Sequence, residues 1–305
     1  MAVSSTGKYL AIGGFQSMRI FDFARPIQPL QVQGFNVHER NITSIGFNQD
    51  GSWMFTGAED CTAKIWDLRS NTVLCQRILQ LNSSVNSVVV HPNQRELIVA
   101  DSTGGIYIWD IRRNRDDSLT TELTYTEFIL DLDTDREGKQ VAAITNKGSC
   151  FLYSNLQDSM LASEEIIENP EINAFEQRTA PVVKFKPHEM YGLKCKFSPM
   201  GTMLATCAGD DYPKLWNVKD LTNKNSDGTV SNITLRDDEH FNDNKKPKWI
   251  WGLEFSNDSR MLFAGGTDTL VRGYDLHQGG ICTRRMVGHT KGITAMALFD
   301  TAPIC

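Results

Sequence analysis

The chain has 305 residues, 40% hydrophobic and 22% charged, with a formal net charge of −6. That length suits one large domain or two average ones, and the acidic balance speaks against a sequence-independent nucleic-acid binder, whose domains are usually basic. The start lacks the apolar core of a signal peptide and no stretch approaches the roughly 18 apolar residues of a membrane span, so a soluble, cytosolic chain without membrane insertion is expected.

In chain order, the first predicted strand is Lys8–Gly14, followed by one that ends at Phe21 and Asp22; no inner strand precedes them. Next comes His38, then an inner strand Ile42–Phe47, a turn at Asn48–Gly51 and a second strand Trp53–Gly57. A tight turn at Asp60 leads into a third strand, Thr62–Asp67. Alternation with a period of two, bounded by Gly, Asp and Asn turns, is the pattern of hairpin strands. The same order returns at Val85–Asp110, Ile129–Tyr153, Leu193–Trp216 and Ile250–Asp275. The chain closes on one more inner strand, Ile293–Leu298.

The aromatic residue ending each third strand makes the repeat explicit: Phe21, Trp66, Trp109, Tyr153, Trp216 and Tyr274, spaced by 45, 43, 44, 63 and 58 residues. Aspartate follows four of the six, as Asp22, Asp67, Asp110 and Asp275. A blade of four short strands takes about 40–45 residues, and such a blade must stack on neighbours to bury its faces. The fold expected is therefore an all-β WD-repeat β-propeller, one domain over 1–305, with strands for six blades. The two terminal segments would join in a composite blade and close the ring. The two long steps place surface insertions near 154–180 and 219–248, the first acidic and the second rich in Asn, Asp and Lys; both are expected to be dispensable for folding.

Seven cysteines, Cys61, Cys75, Cys150, Cys195, Cys207, Cys282 and Cys305, are scattered without a paired C-x-x-C. Neither a metal site nor a disulfide framework is indicated, and a reducing compartment is expected. His38, Thr56 and Asp60 could pass for a hydroxyl–histidine–carboxylate triad. With Trp66, however, the set repeats at blade spacing as His188, Thr206, Asp210 and Trp216. A nucleophile occurs once, whereas a structural clamp recurs, so buried hydrogen-bonded networks are expected and no catalysis. The pairs Gly13-Gly14, Gly104-Gly105 and Gly265-Gly266 open no helix, which leaves a phosphate-cradling loop unsupported, and no cofactor is expected.

Residues flanking the first apolar position of each inner strand should line the mouth of the propeller. They are Asn41 and Thr43, Ser84 and Asn86, Phe128 and Leu130, Tyr191 and Leu193, and Trp249 and Trp251. The change from small polar to large apolar groups points to a protein-binding patch carried by Phe128, Tyr191, Leu193, Trp249 and Trp251, because aromatic residues are preferred interface anchors.

Beyond the generic repeat, Trp53–Ser70, His91–Ile98, Lys147–Cys150, Phe197–Cys207, Trp249–Ser256 and Gly288–Gly292 resemble the G-protein-β-like subunit of target-of-rapamycin (TOR) kinase complexes. The resemblance covers nearly the whole chain. It implies a non-catalytic scaffold subunit, constitutive in both TOR complexes, which clamps the C-lobe of the kinase domain. The partners implied are that kinase domain and the other TOR-complex subunits, with the chain cytoplasmic or peripheral on endomembranes through its complex. Trp249 and Trp251 match part of the kinase-facing surface. The family is seven-bladed, so the resemblance also implies a further blade's worth of strands before this chain's start. A generic WD-repeat adaptor reading a peptide is the other reading of the residues, although the mouth positions above contain no Lys or Arg to hold an acidic peptide.

Overall fold

The computed structural model describes residues 1–25, 28–32, 37–70, 72–112, 115–119, 127–154, 181–222, 232–237 and 248–300. Twenty-four strands make six sheets, and one short helix, α1 (Val218–Thr222), is present among these residues. The chain divides into two compact units, Met1–Asp131 and Leu132–Cys305.

The first unit holds three sheets. β1 (Ala2–Val3), β2 (Tyr9–Gly13) and β3 (Met18–Asp22) form the first. β5 (Ile42–Phe47), β6 (Trp53–Ala58), β7 (Thr62–Asp67) and β8 (Thr72–Gln80) form the second, and β4 (Gln31–Val32) adds in parallel to β8. β9 (Val85–Val90), β10 (Glu96–Asp101), β11 (Ile106–Asp110) and β12 (Arg115–Leu119) form the third. The apolar member of each alternating pair builds the core between sheets. Tyr9, Ala11 and Ile20 pack on Met54 and Trp66, while Phe55 and Ile65 pack on Val85, Leu97 and Val99.

The second unit repeats the plan. β13 (Ile129–Thr134, which spans the division), β14 (Gln140–Thr145), β15 (Cys150–Ser154) and β16 (Val183–Phe185) form one sheet. β17 (Gly192–Phe197), β18 (Met203–Ala208), β19 (Lys214–Asn217) and β20 (Asn232–Thr234) form the next. β21 (Ile250–Phe255), β22 (Met261–Gly266), β23 (Val271–Asp275) and β24 (Ile281–Met286) form the last. Their cores join Ala142 and Leu152 to Cys195 and Trp216, and Cys207 and Leu215 to Leu253 and Tyr274. Cys150, Cys195 and Cys207 serve there as small buried hydrophobes, and all six described cysteines are free thiols.

Two expectations are corrected. The first sheet takes its inner strand from β1, with Ala2 opposite Ala11 and Val3 opposite Leu10. The stretch Ile293–Leu298 forms no strand; it lies against the last sheet, where the Ile293 N–H donates to Gly266 O and Met296 covers Gly252 and Gly265. Met296 fills the space that two glycines leave, and one buried Ile293 holds the segment without a ladder.

Nor is 219–248 merely a surface excursion. Asn217 accepts the Lys219 N–H and starts α1, which buries Val218 and Leu221. Then β20 supplies the outer strand of its sheet, and Leu235 and Asp237 behind it are buried. Deleting the whole stretch removes part of the core. The acidic insertion, 155–180, lies outside the described residues.

Candidate partner-binding face

Four inner strands begin with an irregularity that alternation does not announce. Register shifts fall between Ile42 and Ser44, between Gly192 and Lys194, and between Ile250 and Gly252. The same shift separates Val85 from Ser87, which face Asp101 and Ala100. Thr43, Asn86, Leu193 and Trp251 are thus the extra residues of β-bulges, which re-aim side chains at sheet ends.

In the first unit the mouth residues tie neighbouring inner strands together. The Thr43 hydroxyl lies 2.8 Å from Val85 O, Ser44 donates to Val88 O at 3.1 Å, and Asn86 donates to Ile129 O at 2.7 Å. Asn41 donates to the Glu59 carboxylate, and Ser84 to Glu59 O. Small polar groups occupy these positions because carbonyls of a neighbouring blade, and for Asn41 the Glu59 carboxylate, accept from them. Phe128, half-buried, precedes the fully buried Ile129.

In the second unit the residues at the strand starts are aromatic, and they come together. Tyr191 stacks on Trp249 with ring centroids 6.2 Å apart, and Trp249 on Trp251 at 5.5 Å. Tyr191 is 46% exposed and the two tryptophans are half-buried. Glycine at 209 makes this possible: a Cβ there would sit 3.2 Å from the Trp249 ring. The Trp249 backbone N–H donates to Thr267 Oγ1 at 3.1 Å, which fixes the start of β21. Met190, 40% exposed, extends the row and was missed because it lies one residue before the expected position. Leu193 is a correction: the bulge turns it inward, and at 8% exposure it belongs to the core with Ile250 and Leu253. Its apolar branched chain gains more from that burial than from solvent.

The expected networks are both assembled. Trp66 Nε1 donates to Thr56 Oγ1 at 2.9 Å, and that hydroxyl lies 2.7 Å from His38 Nε2. His38 Nδ1 lies 2.9 Å from Asp60 Oδ2. With Thr56 already accepting from Trp66, its proton goes to Nε2, and Nδ1–H donates to Asp60; this is the neutral imidazole. Burial indeed lowers the His38 pKa, outweighing the pull of Asp60. Burial also pushes the Asp60 carboxyl up, but hydrogen bonds from Thr62, the Glu39 N–H and His38 hold it below its ordinary value. The second set matches: Trp216 to Thr206 at 3.0 Å, Thr206 to His188 at 2.9 Å, and His188 to Asp210 at 2.7 Å. His38 and Thr56 are both fully buried, so this hydroxyl cannot meet a substrate.

Thr56→Val keeps the shape but strands two buried polar groups, His38 Nε2 and the Trp66 N–H. The expected loss is about 1–3 kcal/mol, read as a lower urea midpoint with unchanged slope. The third sheet closes on a different device that the repeat did not show. Asp101, 1% exposed, accepts from Ser83 at 2.6 Å and from the Tyr107 hydroxyl at 2.9 Å. Burial together with this bond pushes the Tyr107 pKa up to about 12. Among the described residues, no cluster of three or more His, Cys, Asp or Glu could hold a metal ion, and no helix is long and apolar enough to cross a membrane.

Comparison with known proteins agrees with this architecture. The family described as WD domain, G-beta repeat matches residues 28–67, 74–110, 180–217 and 239–275. The chain is 32% identical over 292 residues to the target of rapamycin complex subunit LST8 of Bos taurus, covering 96% of this chain and 82% of that one. It is 30% identical over 292 residues to the LST8 homolog of Drosophila melanogaster, with 95% and 82% covered. The β-propeller domain of Myceliophteria thermophila Cps50 (Swd1) superposes with a TM-score of 0.73 at 15% identity, over 97% of this chain and 88% of that one. The fold is a WD-repeat β-propeller.

Proposed function

The chain belongs to the LST8 family of target-of-rapamycin complex subunits, and we propose that it is a non-catalytic scaffold subunit of TOR kinase complexes, TORC1 and TORC2 alike, which binds and stabilises the kinase domain. The observation that carries the docking site is the row Tyr191–Trp249–Trp251: three aromatic rings, stacked and part-exposed, at the start of two adjacent inner strands. Rings held by stacking on one another lose little freedom on binding, which suits them as anchors. The histidine networks are structural on this reading, and the chain works in the cytoplasm, reaching endomembranes through its complex.

The experiment is the double variant Trp249→Ala and Trp251→Ala, checked by thermal melting and then for recovery of the TOR kinase. Truncating a buried aromatic anchor commonly costs about 2 kcal/mol or more, roughly thirtyfold in affinity. A folded double variant that has lost the kinase supports the site. Undiminished kinase recovery would place the interface elsewhere.

A further inference from the structure

The aromatic row also limits the chemistry of what it can hold. Trp249 packs against Tyr191, Trp251 and Gly209 at once. This central ring, enclosed in this way, offers little face to a cation, and the ring face is where cation–π attraction acts; Tyr191 and Trp251 each have one neighbour in the stack. With its faces occupied, the central ring has its edge left for a partner, and the edge is the positive end of the aromatic quadrupole. The row carries three donors, the indole N–H groups of Trp249 and Trp251 and the Tyr191 hydroxyl. None of them has a hydrogen-bond partner among the described residues. The first unit differs here, since Asn41, Thr43, Ser84 and Asn86 spend their donors internally.

The charges nearby point the same way. Lys248 immediately precedes Trp249, and its backbone N–H engages Asp211. Lys147 is exposed on a turn whose next residue, Gly148, abuts the carbonyls of His188 and Met190. Of the acids in the neighbourhood, Glu189 is paired with Lys186 at 2.6 Å, Asp210 with His188 and Lys214, and Asp211 is held by the Lys248 backbone N–H. Cations are absent from the strand-start positions themselves, so the donors of this surface are indole and phenol groups, with lysines only at its margin.

We propose that the row receives a partner segment that sets an aspartate or glutamate carboxylate against the indole N–H groups, with apolar side chains packing beside it. This rests on the docking reading above and specifies the partner's chemistry: an acidic-apolar segment, as opposed to a lysine, an arginine or a methylated amine. A carboxylate accepts several hydrogen bonds at once, and bonds to a charged acceptor are the stronger kind.

The test replaces both tryptophans by 3-benzothienylalanine, which keeps the bicyclic shape and exchanges the N–H for sulfur, so packing and folding are retained. Affinity of the purified chain for the purified TOR kinase is measured beside the alanine double variant. The expected result is a loss of at least tenfold for the benzothienyl variant, with a further loss on Lys147→Glu plus Lys248→Glu. Affinity within twofold of the parent, where the alanine variant does not bind, overturns the carboxylate chemistry and leaves the docking site standing. Unchanged affinity in the alanine variant removes both. Loss in the benzothienyl variant with no response to the lysine reversals also overturns the proposal, because it marks a neutral carbonyl acceptor.

Discussion

Asp237→Ala is expected to cost about 3 kcal/mol of folding stability, the low end for breaking a buried ion pair. Asp237 is 3% exposed and bonds both Arg272, at 2.9 Å, and Arg285. Removing it leaves two guanidinium groups in place of a paired cluster. The loss stays near the low end because Arg272 retains Asp268 and Arg285 is 28% exposed, so it can turn to water. Burial raises the Asp237 carboxyl, but the two arginines overcome it and hold its pKa down at about 2. A folded pKa below the unfolded value of about 3.9 means stability that is complete above pH 4 and lost as pH falls toward 2, about 2–3 kcal/mol in all. Asp237→Asn should therefore flatten the acid limb of a stability–pH profile measured by urea denaturation. An unaltered limb would show that the pair contributes nothing.

Gly148→Ala should be the most damaging of the small-to-small changes, at roughly 3 kcal/mol or more. Its φ of +74° already costs an L-residue about 1–2 kcal/mol. A Cβ would also stand 2.3 Å from His188 O and 2.4 Å from Met190 O, backbone atoms that no rotamer change can move aside. The chain between them carries His188 into its network and leads into Tyr191, so the same substitution should weaken kinase binding as well. Gly201→Ala provides the control: its φ is +70°, but nothing lies within 4 Å of the added carbon. It should lose only the conformational cost, about 1–2 kcal/mol, and keep full binding. Equal losses at the two positions would mean that conformational strain, and not the contact with residues 188–190, sets the cost.

The repeat was legible because blade strands alternate and their turns need Gly, Asp and Asn, so Trp66, Trp109 and Trp216 mark equivalent places without any structure. The two histidine networks were legible for the same reason, since each partner sits at a fixed offset from its tryptophan. What alternation could not show is where it breaks. A bulge at Leu193 reverses the side chain's direction without altering composition, whereas Tyr191, Trp249 and Trp251 stay part-exposed. The last sheet was opaque for another reason. Its repeat positions hold Asp268, Arg272 and Tyr274 with Ala264 in place of the threonine, so the cluster depends on Asp237, a residue in a stretch with no repeat pattern at all. The first sheet's inner strand is two residues long, too short for periodicity to detect.

The bulge at the head of the inner strands has a consequence for how such a chain can change over generations. Elsewhere along a strand, exchanging a polar for an apolar residue trades one face of the sheet for the other and puts folding at risk. At the extra residue the ladder makes no such demand, and threonine, asparagine, leucine and tryptophan occupy the equivalent place in four blades of one molecule. Each of these four blades thus carries one position where the ladder leaves the choice open: the same place ties blades together through Thr43 and Asn86, buries Leu193 in the core and part-exposes Trp251. Descendants of one ancestral repeat can diverge there into distinct contact surfaces while the scaffold beneath them stays the same.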